Sequence, residues 1–259
     1  MMPAIRPEDS IAILLVAGMG RRLGNPDQRP KVLLEFGGKT LLERHLLALR
    51  AHGVGTIALT VGYGEEAIRR EVGRLGLTDQ VRFIRNSRYQ DGSLVSLWAQ
   101  REALRSGSSI LLMDGDVLCG NAMISRLFSA EAENLLLVDR DFRPGDEPVK
   151  ICFRDGRIVD FRKMPEHEFD WCGESVGFFR FSAAQAAALA DACSAYMHQG
   201  RTDTEYEEAI RDLILAAPDR FTAVDVSDLP WTEIDFGQDV DYAREVILPK
   251  LENGHEYRS

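Results

Sequence analysis

Residues 14–31, LLVAGMGRRLGNPDQRPK, join an apolar strand to a turn built for an anion. An apolar run over 11–17 enters a glycine-rich turn, and fixed positive charge follows directly. A strand of this kind holds the turn rigid. Gly18 and Gly20 let the backbone bend tightly, so that their N–H groups can face an anion with no Cβ between, and Ala17, Met19 and Arg21 belong to the same candidate nucleotide-binding stretch. Arg21, Arg22, Arg29 and Lys31 then stand against Asp27 alone, a local cation excess in a chain of formal net charge −10. Such a cluster in an acidic protein points to a small anionic ligand, a polyphosphate.

Two familiar phosphate loops are excluded by spacing. The dinucleotide fingerprint G-x-G-x-x-G fails because Leu23 holds the third glycine position and Gly24 comes one residue late. Gly38-Lys39-Thr40 hints at a Walker loop, yet Leu33 occupies the upstream glycine position. Gly37 to Thr40 reads instead as a turn into a helix, with Thr40 as N-cap and Glu43 as capping-box partner.

On either side of this stretch, short apolar runs alternate with helical patterns, which predicts an α/β fold of the Rossmann-like kind, three layers deep. Strands are expected over 11–17, 56–61, 81–85 and 109–113, and helices over 41–52, 65–75 and 93–104. After about residue 139 the pattern becomes strand-rich, with a hairpin of 149–153 and 157–161 turned by Asp155-Gly156. Strands at 175–181 and 221–226, helices at 183–197 and 204–216 and a last helix from Asp239 complete it. The expectation is one domain with a mixed, mostly parallel central sheet: a nucleotide-binding half over about 10–139 and a smaller β-rich acceptor half over about 140–259.

At 259 residues, 45% of them hydrophobic, the chain can bury one sizeable core. Its negative charge argues against nucleic acid, because backbone phosphates need an extended basic face. Cys119, Cys152, Cys172 and Cys193 form no C-x-x-C pair, which argues against a zinc or redox site and for reduced thiols in a cytoplasmic protein. No apolar run approaches the roughly 20 residues of a membrane span, and MMPAIRPEDS lacks a signal-peptide core. Homo-oligomerisation stays open.

The loop also fits L-x-A-G-x-G-x-R-L followed by P-K-x-L, through Leu15, Ala17, Gly18, Gly20, Arg22, Leu23, Pro30, Lys31 and Leu33. This resembles the signature of the nucleotidyltransferase superfamily, with departures at Val16 and Arg21. The resemblance implies that a nucleoside triphosphate lies on the loop, that Arg22 and Lys31 grip its phosphates, and that a nucleotidyl group passes to a phosphorylated acceptor with release of pyrophosphate. Asn86 to Trp98, containing Tyr89 and Ser93-Leu94-Val95-Ser96-Leu97-Trp98, resembles the corresponding segment of phosphocholine-type cytidylyltransferases, which favours CTP. Ser93 at the helix start would then assist the nucleotide.

Asp114 and Asp116 end a central apolar strand, where burial without a partner is costly; they either cap the local turn or hold a divalent cation. The resemblance assigns Mg²⁺ to Asp116, with Asp114 as second choice beside the nucleotide, and to Asp235 in WTEIDFGQDVDYA. Asp239 reads as an N-cap, and Glu233 stays open. Lys150, Lys163, Gly173, Glu174 and Gly177 fit the same family's V-K…K…G-E-x-x-G progression, implying that Lys163 holds the acceptor phosphate and that Glu174 lies near it. Trp171 and Tyr206, with Glu207, are either pieces of a cage for a cationic head group or core packing.

The expected reaction is in-line displacement: CMP passes from CTP to a phosphorylated alcohol or phosphonate of the phosphocholine, phosphoethanolamine or 2-aminoethylphosphonate type. No general-base histidine is required. The alternatives are a sugar-1-phosphate or inositol-phosphate nucleotidyltransferase and a non-catalytic nucleotide-binding module.

Overall fold

The computed structural model describes residues 6–24, 29–129 and 131–253; Asp27 and His255 lie outside them. Strand β1 (Ser10–Leu15) runs into the glycine turn, and the small hairpin β2 (Glu35–Phe36) and β3 (Lys39–Thr40) leads into α1 (Leu41–Ala51). Thr40 caps α1 as expected, its hydroxyl accepting from Glu43 N at 3.0 Å. The Glu43 carboxylate pairs with Arg74, so the reciprocal half of the expected capping box is replaced by a contact to the next helix.

β4 (Thr56–Val61), α2 (Glu65–Arg74) and β5 (Val81–Arg85) follow the pattern read from sequence. The helix expected over 93–104 is broken at Gln100 into α3 (Ser93–Ala99) and α4 (Arg101–Leu104). Ser93 is the first helical residue and Gly92 precedes it as N-cap. Next come β6 (Ser109–Asp114), β7 (Val117–Cys119), α5 (Asn121–Ser129), β8 (Asn134–Asp139), the hairpin β9 (Lys150–Arg154) and β10 (Arg157–Arg162), and β11 (Trp171–Phe181). The hairpin turn is as expected, with Asp155 and Gly156 both at positive φ, 49° and 76°. The chain closes with α6 (Ala183–His198), α7 (Tyr206–Ala216), β12 (Phe221–Asp225), β13 (Trp231–Glu233), α8 (Gly237–Tyr242), a π-helical turn at Ala243–Ile247, and α9 (Leu248–Asn253).

The nine-stranded sheet has the order β10-β9-β11-β6-β1-β4-β5, with β8 also paired to β11 and β12 to β8. β6, β1, β4 and β5 are parallel, as βαβ crossovers demand, while β11 enters antiparallel beside β6. Alternate side chains of the central strands supply two cores. Ala12 and Leu14 face one with α1 and α2, and Ile13 faces the other with α3, α6 and α7. That two-sided burial is why β1 reads as a continuous apolar run.

Candidate active site

β1 and β6 lie in register, Leu15 opposite Asp114, so both chains leave the sheet at the same carboxyl edge. Ligands of open α/β sheets bind at such an edge. After β1 the backbone needs left-handed geometry at Gly20, φ 61°, where a Cβ would stand 2.7 Å from Lys31 Cγ. The N–H groups of Gly18, Met19 and Gly20 donate to no backbone carbonyl among the described residues. Gly18, Gly20, Arg21, Arg22, Lys31 and Asp116 line a pocket of about 230 Å³, and Asp235 closes it.

Lys31 is brought to this pocket by the short turn Lys31–Leu33, whose Val32 and Leu33 are buried. Its Nζ lies 3.0 Å from Asp116 Oδ2 and also donates to Asp235 Oδ1. Burial alone would lower the ammonium pKa, but the Asp116 and Asp235 carboxylates outweigh it and hold Lys31 firmly charged. Asp235 arrives from far along the chain because β13 pairs antiparallel with β7, Glu233 opposite Val117. Asp239 is the third residue of α8 rather than its N-cap: its carboxylate accepts from the N–H groups of Asp235 and Phe236 at 2.9 and 2.7 Å, and so orders the loop that presents Asp235.

Asp116, Asp235 and Glu233 each bring an oxygen to within 4.8 Å of the others. Glu233, which stayed open in the sequence, therefore joins the two aspartates. Oxygen donors of this number and spacing suit a hard divalent cation, and the Lys31 ammonium already shows that a cation is stable between two of them. Asp114 is turned elsewhere: Tyr206 donates its O–H to Asp114 Oδ2 at 2.6 Å. Burial, with the Asp116 and Glu207 charges, raises the Asp114 pKa well above the usual carboxylate range.

A second cavity, about 340 Å³, adjoins the first and includes Gly18, Arg22, Ser93, Asp114, Lys163 and Glu207 in its wall. Ala17 and Tyr206 belong to the same wall. Ser93 Oγ accepts from Tyr206 N at 2.9 Å, tying the start of α3 to that of α7. Arg22 and Lys163 both face Glu147, at 3.1 and 3.7 Å, and Lys163 also pairs with Glu205 at 3.2 Å. Glu147 carried no signal in the sequence; it stands as an anion between two cations from opposite halves of the chain. Glu207 is half-buried, its Oε2 is buried with no partner among the described residues, and burial raises its pKa to about 8.

Three expected residues line neither of these two cavities. Met19 is turned back to Arg21, whose guanidinium reaches its sulfur at 3.4 Å. Trp171 stacks on Phe153 with centroids 3.9 Å apart and carries Arg140 on its ring, so it forms no cage with Tyr206. Glu174 lines a neighbouring cavity with Asp139, and burial together with that carboxylate raises its pKa to about 7. Lys150 Nζ donates to the carbonyls of Gly145 and Lys163, 2.7 Å each, fastening the loop that carries Glu147. His167 is held by Asp160 at 3.1 Å, outside the cavity wall.

The chain is 28% identical over 249 residues to a bifunctional IPC transferase and DIPP synthase of Rubrobacter xylanophilus, covering 95% of this chain and 53% of that protein. It is 28% identical to a CMP-5'-(3-aminopropyl)phosphonate synthase of Streptomyces rubellomurinus, across 86% of this chain and 36% of the relative. The chain thus spans about half, or less, of these relatives' length. An inositol-1-phosphate CTP transferase from T. maritima superposes with a TM-score of 0.76 at 21% identity, covering 98% and 99% of the two chains. A CTP:phosphocholine cytidylyltransferase from Streptococcus pneumoniae superposes at 0.71, also 21% identical, over 92% and 98%. These two establish the shared fold. Residues 12–173, from the third residue of β1 into β11, match the MobA-like NTP transferase domain, and the chain belongs to that family.

Proposed function

We propose that this protein transfers CMP from CTP to a small phosphorylated alcohol or phosphonate, releasing pyrophosphate. The observation that carries the reading is the convergence of Lys31, Asp116 and Asp235 on the glycine turn. The likeness to CTP-using transferases supports the base and the acceptor class.

The free N–H groups of the turn, with Arg22 and Lys31, receive the triphosphate, and Lys163 holds the acceptor phosphate opposite. Glu147 occupies the space between Arg22 and Lys163 that substrate phosphates would take, so the two cations need no rearrangement to face an anion. An acceptor oxygen attacks the α-phosphorus of CTP; the new P–O bond forms as the bond to the bridging oxygen of the leaving pyrophosphate breaks. The acceptor phosphate is already ionised at neutral pH, so no histidine removes a proton. Asp116, Asp235 and Glu233 are the residues that would hold Mg²⁺, whose chemistry when bound is to neutralise charge on the triphosphate oxygens. Residues about 10–139 would bring the nucleotide and about 140–259 the acceptor. The free cysteines support a reducing, cytoplasmic setting.

One observation favours a polyol phosphate over a quaternary ammonium acceptor. In place of an aromatic cage, the acceptor side of the cavity offers the unpartnered Glu207 oxygen and the Tyr206–Asp114 pair, which suit hydroxyl or primary amine groups.

Pyrophosphate release measured with CTP and a panel containing inositol phosphate, phosphoethanolamine, 2-aminoethylphosphonate, phosphocholine and sugar 1-phosphates tests this. Asp116→Asn is expected to bind CTP and to lose turnover by about 100-fold or more. Binding without turnover on every acceptor would favour the non-catalytic module.

A further inference from the structure

We propose a second ligand site on the face of the sheet beneath α3 and α4, shaped for a small anion with a flat apolar body and an N–H or O–H donor. The groove measures about 500 Å³, within the roughly 300–1,000 Å³ common for small-molecule sites. It shares no lining residue with the cavity that holds Lys163 and Glu207.

Its origin lies in the two-sided sheet. On one face of the edge strand β5, Phe83 is covered by Arg69 of α2, 4.1 Å above the ring. On the other, α3 and α4 cover β1 and β6 but stop short of β5, leaving Ile84 half-buried beside Ile11, Ala58 and the half-buried Trp98. An apolar floor is therefore open to solvent.

Charge surrounds that floor. Arg82, Arg85, Arg88 and Arg101 line the groove with Glu102 as the one acid among the described residues, in a chain of net charge −10. Arg85 pairs with Glu65 at 3.5 Å, Arg88 with Asp91 at 2.7 Å, and Arg101 lies 4.3 Å over the Trp98 ring. Arg82 forms no ion pair among the described residues, although it lies on the same face of the strand as the floor residue Ile84. Guanidinium groups flanking an aromatic ring suit a planar anion.

A third observation points to a hydrogen-bond donor. Gln100, at the break between α3 and α4, is 1% exposed and lines the groove. Its Nε2 donates to Thr60 Oγ1 at 2.9 Å, while Oε1 is buried with no partner among the described residues. A buried carbonyl left without a donor is destabilising, and a ligand N–H or O–H at the groove wall would relieve it.

The probe is 1-anilinonaphthalene-8-sulfonate, which combines a sulfonate, a flat apolar body and one N–H. Fluorescence titration of the full chain should give saturable binding at one site, unaffected by saturating Mg-CTP. Arg82→Glu and the milder Arg82→Ser should weaken it, the former at least tenfold, with circular dichroism and CTP turnover unchanged. The uncharged N-phenyl-1-naphthylamine should bind at least tenfold more weakly than the sulfonate. Absence of saturable binding, displacement by CTP, or equal affinity of the Arg82→Glu variant would overturn the proposal. So would sedimentation showing a dimer that Arg82→Glu dissociates, since the groove would then be an interface between copies. Each of these outcomes is independent of whether the acceptor panel yields pyrophosphate.

Discussion

Lys31 does two things with one ammonium group: it reaches the glycine turn and it neutralises Asp116 and Asp235. Lys31→Met should therefore reduce pyrophosphate release by about 100-fold or more and lower the thermal midpoint, because two close carboxylates lose their counter-charge; a variant that melts and turns over like wild type would exclude both roles. His45 acts on the same loop from beneath. It is buried and stands edge-on to Phe178, beside the backbone of Gly115 and Val117. Burial lowers its pKa from 6.5 to about 4. The unfolded chain takes up this proton near 6.5 and the folded chain only near 4, so His45 adds stability that is complete above 6.5 and lost as pH falls through 4. The full loss is about 3 kcal/mol. Urea unfolding between pH 7 and 4.5 should show this decline, and His45→Leu should make it shallower. His167→Ala, by contrast, should leave turnover intact, because its imidazole is committed to Asp160; a thousandfold fall would mean that a general base is needed.

Elements place these residues through a few tight approaches. β11 changes register against β8 between Ser175 and Phe179, and Gly177 sits in that irregularity at φ 76°. A Cβ there would stand 2.2 Å from Asp114 Oδ2. Gly177→Ala should accordingly cost about 1–3 kcal/mol and raise the KM for the acceptor more than that for CTP, since the displaced groups are Asp114 and Tyr206. Steady-state kinetics in both substrates checks this; an equal rise in both would place the disturbance elsewhere. The break of the helical segment at Gln100 has a similar origin. Its side chain turns inward to Thr60, and the chain is re-aimed there into the four-residue α4. Apolar periodicity carried through 93–104 without signalling the break, because Leu97 and Leu104 remain buried in the same core on either side of it.

Across the molecule, the last quarter of the chain completes both sheet and site. β12 lies parallel to β8, Leu135 and Leu137 of β8 belong to the core shared with α5, and β13 against β7 carries Glu233 and Asp235 to the first strand's turn. A chain ending at Arg220 should lack cooperative thermal unfolding, since it bares β8 and removes two of the three clustered carboxylates; a sharp calorimetric transition with the full enthalpy would count against that. The boundary drawn near residue 139 marks a change of pattern, and the sheet runs through it, with β8 paired to both β11 and β12.

Local signals were enough for the parallel half of the sheet. Strands at 56–61 and 81–85, the Thr40 cap and the Asp155-Gly156 turn each rest on neighbours within a few residues, where periodicity, capping chemistry and left-handed tolerance act directly. Lys31, Asp116 and Asp235 were legible one by one because each lies in a recognisable stretch. Their meeting, the recruitment of Glu233, and Glu147 between Arg22 and Lys163 were settled only by tertiary structure. The same holds for Cys152 opposite Cys172 on adjacent strands, and for Trp171 drawn to Phe153 rather than to Tyr206. Those contacts join residues far apart in the chain, and their existence depends on strand order and register, which no local preference encodes.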